Sequence, residues 1–339
     1  MTYSALSLPL LVATDGSPSA RLAQQLAMTF AGAIAPPTTE SSALVVLSVQ
    51  PKQANRRLRF SLARNGGATK TAIAEPTVDS PQCGSELLQE LATAFPTDLS
   101  VDYQVRQGRP TTEILNYARS IKAGMIAVGS GKDKNGVRDL LLGDVSSVVA
   151  RYAPCSVLVG RSTPERPLTS LKKVVLLIDG GATKRAIGLL QQLLPIGIEQ
   201  VILLCVQHPV NAGYLFGPFT APNPSWQLNQ SLQAAQKDQA DHQLSQAKAA
   251  LSAHAPNLLI ETHVEMGDAG LVLCKVAEHE QVDLILLASE GLRQPLLKPL
   301  QDLRHTQNQR PLRNTRLNAT EDYAIHHAPC SVLLYRPTI

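Results

Sequence analysis

Short apolar runs recur along the chain at nearly regular intervals, separated by longer stretches in which apolar residues return at helical spacing. Runs such as Leu44-Val45-Val46-Leu47 do not alternate with polar residues, which suits strands covered on both faces in a parallel sheet. In the first half the pattern predicts strands over Leu8–Thr14, Ala43–Val49, Val101–Arg106, Gly124–Gly129 and Ser156–Gly160. Helices are predicted over Ala20–Ala35, Ser85–Phe95, Thr111–Lys122 and Asp144–Tyr152. In the second half the predicted strands are Lys173–Ile178, Gln200–Val206, Leu258–Glu265, Asp283–Ala288 and Ser331–Tyr335. The helices between them are Thr183–Leu194, Leu228–His254, Ala269–Glu280 and Ala319–His327.

The halves repeat one another. Ala-Pro-Cys-Ser-Val-Leu occurs at Ala153–Leu158 and again at Ala328–Leu333, 175 positions later. An apolar run ending in Asp-Gly is paired at Asp15 and Asp179, and Met125–Ser130 matches Leu284–Ser289 at an offset of 159. The change of offset places 16 extra residues of the second half between Ser289 and Ala328, within the segment Leu292–Leu317. Strand alternating with helix in two copies predicts an α/β chain of two doubly wound, Rossmann-like five-stranded parallel-sheet domains, packed as an intramolecular pseudo-dimer. The expected domains are residues 1–161 and 171–339, joined across 162–170, where Pro164 and Pro167 interrupt a polar stretch.

Composition narrows the function classes. With 339 residues the chain has room for two cores, and its 44% hydrophobic content with only 4% aromatics predicts cores of Leu, Val, Ile and Ala. A net charge of +4 is too small to predict a nucleic-acid footprint. No apolar run is long enough to span a bilayer and no basic region precedes an apolar stretch at the N-terminus, so membrane insertion and a signal peptide are not expected and the cytoplasm is. The five cysteines, Cys83, Cys155, Cys205, Cys274 and Cys330, show no Cys-x-x-Cys spacing and read as small buried residues rather than metal ligands or disulfides.

Two further segments depart from the repeat. Pro51–Gln82 carries six basic residues interleaved with Leu58, Phe60 and Leu62, and reads as a solvated loop. His208–Trp226 is rich in Pro, Gly and aromatics and reads as an ordered cover over an edge or a partner surface.

In an open parallel sheet, ligands gather beyond the carboxyl ends of the strands where strand order reverses. There the first half places Thr14-Asp15-Gly16-Ser17, Val49 and Gly129-Ser130-Gly131-Lys132; the last segment leads on to Gly143-Asp144-Val145-Ser146 at the start of a helix. A Gly-rich loop running into a helix N-terminus offers N–H groups to a phosphate. With these motifs and the Ala-Pro-Cys strand, the whole chain resembles a tandem universal stress protein. The resemblance implies ATP or AMP, with adenosine against Thr14, Asp15 and Val49 and phosphates against Gly129, Ser130, Gly131, Lys132, Gly143, Val145 and Ser146. The match to the family's Gly-x2-Gly-x9-Gly-[Ser/Thr] pattern is imperfect. Lys132 stands at the second glycine, ten residues rather than nine lead to Gly143, and Asp144 replaces the hydroxyl residue.

In the second half the phosphate-site glycine becomes Asn318, followed by Ala319, with Glu321 and Asp322 adding negative charge. No nucleotide is expected there. Other motifs fail: Ile126 and Asp133 break a P-loop reading of Gly129–Lys132, and no Gly-x-Gly-x-x-Gly follows the first strand. His326 and His327 read as surface histidines near the domain junction. The expectation is a non-enzymatic sensor or interaction protein. The alternatives are a regulatory partner of a membrane ion transporter and, last, a weak nucleotide hydrolase, for which no metal-binding carboxylate pair is evident. A protein partner and further pairing of the pseudo-dimer remain open.

Overall fold

The computed structural model describes residues 6–34, 43–50, 100–130, 143–161, 170–179, 183–208, 225–289 and 317–336. The predicted helix Ser85–Phe95 and the segments 51–82, 209–224 and 292–316 lie outside them. The first half contributes strands β1 (Leu10–Thr14), β2 (Leu44–Gln50), β3 (Val101–Gln107), β4 (Met125–Gly129) and β5 (Ser156–Gly160). The second contributes β6 (Lys173–Leu177), β7 (Gln200–Gln207), β8 (Leu259–Met266), β9 (Leu284–Ala288) and β10 (Ser331–Tyr335). The helices are α1 (Pro18–Ile34), α2 (Pro110–Ser120), α3 (Asp144–Tyr152), α4 (Thr183–Leu193), α5 (Ser225–His254), α6 (Ala269–His279) and α7 (Ala319–His327). Helix α5 starts three residues before the predicted Leu228.

The two halves form one sheet rather than two stacked ones. Its order is β3-β2-β1-β4-β5-β10-β9-β6-β7-β8, ten strands among the described residues, parallel within each half. Only β5 and β10 pair antiparallel, with Leu158 opposite Leu333 at the centre of the register. Those two leucines are equivalent in the repeat, so a pseudo-two-fold axis passes between them.

Because side chains alternate across a strand, the apolar runs feed two cores. Leu10, Val12, Leu44, Val46, Met125 and Ala127 meet α1 on one face, and Val174, Leu176, Val201 and Leu203 continue that core beneath α4 and α5. Leu11, Ala13, Val45, Ile126 and Val128 meet α2 and α3 on the other, and Val175, Ile202, Ile285 and Leu287 extend it beneath α6 and α7. Both cores run through the axis unbroken. The outer strands β3 and β8 are partly exposed and carry Asp102, Arg106, Glu261, His263 and Glu265, charges that discourage pairing with another sheet edge.

Four residues lock the seam reciprocally. The Ser331 hydroxyl accepts from the Arg161 amide at 3.1 Å and donates to the Arg161 carbonyl at 3.2 Å. Ser156 does the same for Arg336, at 3.0 and 3.2 Å. Each arginine then reaches into the opposite half. Arg161 donates to the carbonyls of Ile325 and Ala328 at the end of α7, and Arg336 to those of Ala150 and Ala153 at the end of α3. Both side chains are buried, which lowers their pKa, yet a guanidinium stays charged and complements the negative end of a helix dipole. Nearer the surface, Arg151 pairs with Asp322 at 2.7 Å, and Ser147 Oγ lies 3.5 Å from His326 Nε2.

Candidate functional site

The chain order reverses between β1 and β4, and there the sheet opens. Their pairing stops at Val12↔Ala127, whereas β1·β2 runs on to Thr14↔Ser48 and β4·β5 to Gly129↔Gly160. Thr14 and Gly129 therefore flank a crevice at the switch point, where a doubly wound sheet receives ligands.

One wall is the turn into α1. Thr14 is buried and its hydroxyl accepts from Gly16 N at 3.2 Å. Asp15 is exposed, and its Oδ1 accepts from Ser17 N at 3.0 Å. Gly16 takes φ of 78°, in the left-handed region that glycine enters without strain. Ser17 Oγ accepts from Ala20 N at 3.3 Å and caps α1, while Arg21 Nε donates to the Gly16 carbonyl at 3.3 Å. Ser17 closes the sequence-predicted segment Thr14–Ser17, and the Ser-x-x-Ala spacing marks it as the cap; no sequence signal points to Arg21.

The other wall is β4 and its exit. A Cβ on Gly129 would lie 2.6 Å from the Ala20 nitrogen and 2.7 Å from the Ser19 carbonyl carbon. The residue is glycine because the first turn of α1 rests directly on it. Its carbonyl accepts a hydrogen bond from the buried Ser146 hydroxyl, so that hydroxyl faces the strand and only the Ser146 backbone remains for a ligand. Ser130 N donates to the Gly160 carbonyl and Gly143 N to the Ser130 carbonyl, each at 2.9 Å. The exit from β4 and the entry to α3 are thus pinched together. Val49 is half-buried, one residue past the last β1·β2 pair, and Val145, in the first turn of α3, packs against the core. Gly131 and Lys132 lie outside the described residues.

At α3 the N-cap is Gly143, and among the described residues no side chain caps the first turn. Its leading N–H groups have no intrahelical acceptor and carry the positive end of the dipole, which fits an anion such as phosphate. Asp144 occupies the first helical position and is exposed.

The second half keeps Asp179, Val206 and Ser289 in the places of Asp15, Val49 and Ser130 but differs at other points. Ile178 replaces Thr14, Ala288 replaces Gly129 and the buried Tyr335 replaces Gly160, a glycine whose Cβ would crowd Ala23 on α1 at 2.8 Å. Asn318 and Glu321 close a capping box on α7. Asn318 Oδ1 accepts from Glu321 N at 2.7 Å, and the Glu321 carboxylate accepts from Asn318 N and Nδ2 at 3.1 Å each. Glu321 is buried, so an internal carboxylate sits where α3 leaves its turn open.

The remaining candidates are structural. Cys155, Cys205, Cys274 and Cys330 are buried and in no disulfide; burial pushes the Cys155 thiol up to about 12 and that of Cys274 to about 11. Of the two adjacent histidines, His326 faces the seam, with Nδ1 2.7 Å from the Asp322 carbonyl oxygen, and His327 is exposed against Tyr323. A groove of about 640 Å³ between α4 and α5 has an aliphatic floor of Ile187, Ala247 and Ala250, and Gln191 Nε2 bonds the Ala250 carbonyl across it. It brings together no set of groups suited to chemistry and lies apart from the first-half crevice. Among the described residues no cluster of three His, Cys, Asp or Glu could hold a metal, and no helix is long and apolar enough to cross a membrane.

The family model described as "Universal stress protein family" matches residues 8–161 and again residues 171–336. The chain belongs to that family. A universal stress protein of Methanothermobacter thermautotrophicus is 33% identical over 85 residues, and the match covers 24% of this chain and 57% of that protein. A Pseudomonas aeruginosa PAO1 protein of unknown function aligns in structure over 97% of this chain and 92% of its own, with 16% identity and a TM-score of 0.56. A universal stress protein from Archaeoglobus fulgidus aligns over 97% and 96%, with 14% identity and a TM-score of 0.51. These structural likenesses establish the tandem universal stress fold. One universal stress protein has been solved in complex with cAMP; it aligns with 50% of this chain at 13% identity and a TM-score of 0.31.

Proposed function

We propose that this universal stress protein is a non-enzymatic, cytoplasmic sensor or interaction module that takes one adenine nucleotide, ATP or AMP, in the first-half crevice and none in the second half. Thr14, Asp15 and Val49 would face the adenosine. Gly129, Ser130, Gly131, Lys132 and the first turn of α3 at Gly143, Val145 and Ser146 would face the phosphates. One contrast carries the reading. Among the described residues the α3 N-terminus has no side-chain cap, whereas the Asn318–Glu321 box fills the equivalent turn of α7 with a carboxylate of the chain itself. A phosphate at α7 would meet that carboxylate at short range, and like charges repel.

Isothermal calorimetry with ATP, AMP and cAMP tests this. The expected result is one equivalent of ATP or AMP per chain, weakened roughly tenfold or more by Asp15→Ala. Two equal sites, or no heat with any of the three, would overturn it.

A further inference from the structure

The first-half crevice is held in shape by a residue of the second half. Helix α3 has nine residues, so it is only about 13 Å long. Both ends are tied. At its N-terminal end Gly143 N bonds the Ser130 carbonyl and the Ser146 hydroxyl bonds the Gly129 carbonyl, which sets the first turn against the crevice. At its C-terminal end the chain leaves through Ala153-Pro154, and the carbonyls of the last turn have no intrahelical donor. Arg336, just beyond β10, supplies donors to two of them, 2.8 Å from Ala150 O and 3.4 Å from Ala153 O. Its own backbone is fixed by Ser156 on β5.

We propose that Arg336 is a positioning residue for the ligand site of the first half: it sets the tilt of α3 from the far end and so the place of the N–H groups that face the crevice. The site assigned to the first half is then incomplete without the second, and the repeat works as one unit rather than as two modules in series. The effect on ligand binding rests on the nucleotide reading above; the effect on α3 does not.

The pseudo-symmetry supplies a control. Arg161 stands in the equivalent place, is equally buried, and makes the same two kinds of bond, but to α7. A general loss of stability is therefore common to both substitutions, and only Arg336→Ala releases α3. The full chain carrying Arg336→Ala, Arg336→Lys or Arg161→Ala is compared with wild type by amide hydrogen exchange without ligand and by calorimetry with ATP. Arg336→Lys is the milder change, since one ammonium cannot reproduce the planar fork. Exchange of the peptide covering 143–152 should rise roughly tenfold in both Arg336 variants and less than about twofold in Arg161→Ala, which raises exchange in 319–327 instead. ATP affinity should fall roughly tenfold in Arg336→Ala and less than about twofold in Arg161→Ala. Unchanged exchange at 143–152 in the Arg336 variants, or equal loss of ATP affinity in both alanine variants, overturns the proposal. Absence of ATP binding to wild type defeats the nucleotide reading, and the exchange pattern then decides the role of Arg336.

Discussion

Replacing Gly129 with alanine should push α1 off the sheet at the crevice. The added Cβ would sit 2.6 Å from the Ala20 nitrogen and 2.7 Å from the Ser19 carbonyl carbon, whereas ordinary contact begins near 3.4 Å. Both neighbours are backbone atoms of the first helical turn, so no side-chain rotation relieves the clash. The turn must move by about 0.8 Å, the shortfall between those two distances. Forcing one methyl into a packed site of this kind costs about 1–3 kcal/mol. Taking about 2 kcal/mol and the whole chain as the unfolding unit, since both cores run through the axis, the midpoint of thermal unfolding should fall by roughly 2–4 °C. Circular dichroism at the helix band, scanned with temperature and with urea, measures it. The second half provides the comparison, since Ala288 already occupies the equivalent position, 7% exposed. Ala288→Gly removes a methyl and loosens a strand, at about 1–2 kcal/mol, with no push on a helix. A Gly129→Ala protein within about 0.5 kcal/mol of wild type would refute the close approach of α1 and the reason given for this glycine.

Two further outcomes follow from the same geometry. Burial holds the Cys155 thiol at about 12 against its ordinary 9.0, so the unfolded chain loses that proton first as pH rises. The contribution is complete below pH 9 and is lost between pH 9 and 12 at up to about 1.4 kcal/mol per pH unit; urea midpoints that stay level from pH 8 to 11 would contradict it. Asn318→Ala removes the acceptor of Glu321 N at 2.7 Å and should cost about 1 kcal/mol, read as a lower urea midpoint, and a neutral result would mean that the capping box does not hold α7.

Much of the architecture is legible in the residues because parallel strands covered on both faces leave little choice of composition. The run at Leu44–Leu47 and its counterparts had to be apolar throughout, and the repeated Ala-Pro-Cys fixed the frame of comparison between the halves. The site was legible in part. Asp15 follows β1, Val49 lies near the end of β2 and Gly129 ends β4, all at the carboxyl side of the sheet, but the spacing around Gly129 does not show that Ala20 and Ser19 of α1 rest on it. Ser146 likewise turns its hydroxyl to Gly129 rather than outward. Such facts depend on which helix lies over which strand, and no local pattern carries them. The roles of Arg161 and Arg336 are illegible in the sequence for a similar reason. An arginine after the last strand of a domain reads as a solvated linker charge, and only the antiparallel β5·β10 pair reveals that each enters the opposite half. Glu321 was visible as added negative charge, but its closure onto Asn318 was not.

The seam at Leu158 and Leu333 also has an evolutionary side. In a dimer of identical chains, every substitution near the axis occurs twice, so a new charge there confronts its own copy and a cost of about 1 kcal/mol is counted double. Joining the copies in one polypeptide ends that doubling. Positions 147 and 322 are equivalent in the repeat, as are 151 and 326, yet one pairing across the axis is Arg151 with Asp322 and the other is Ser147 with His326. Such an asymmetric set is out of reach for a strict homodimer. Fusion thus lets one copy drift, filling its own turn with Glu321 and its glycine space with Tyr335, while the other keeps an open crevice and borrows an arginine from its altered sibling.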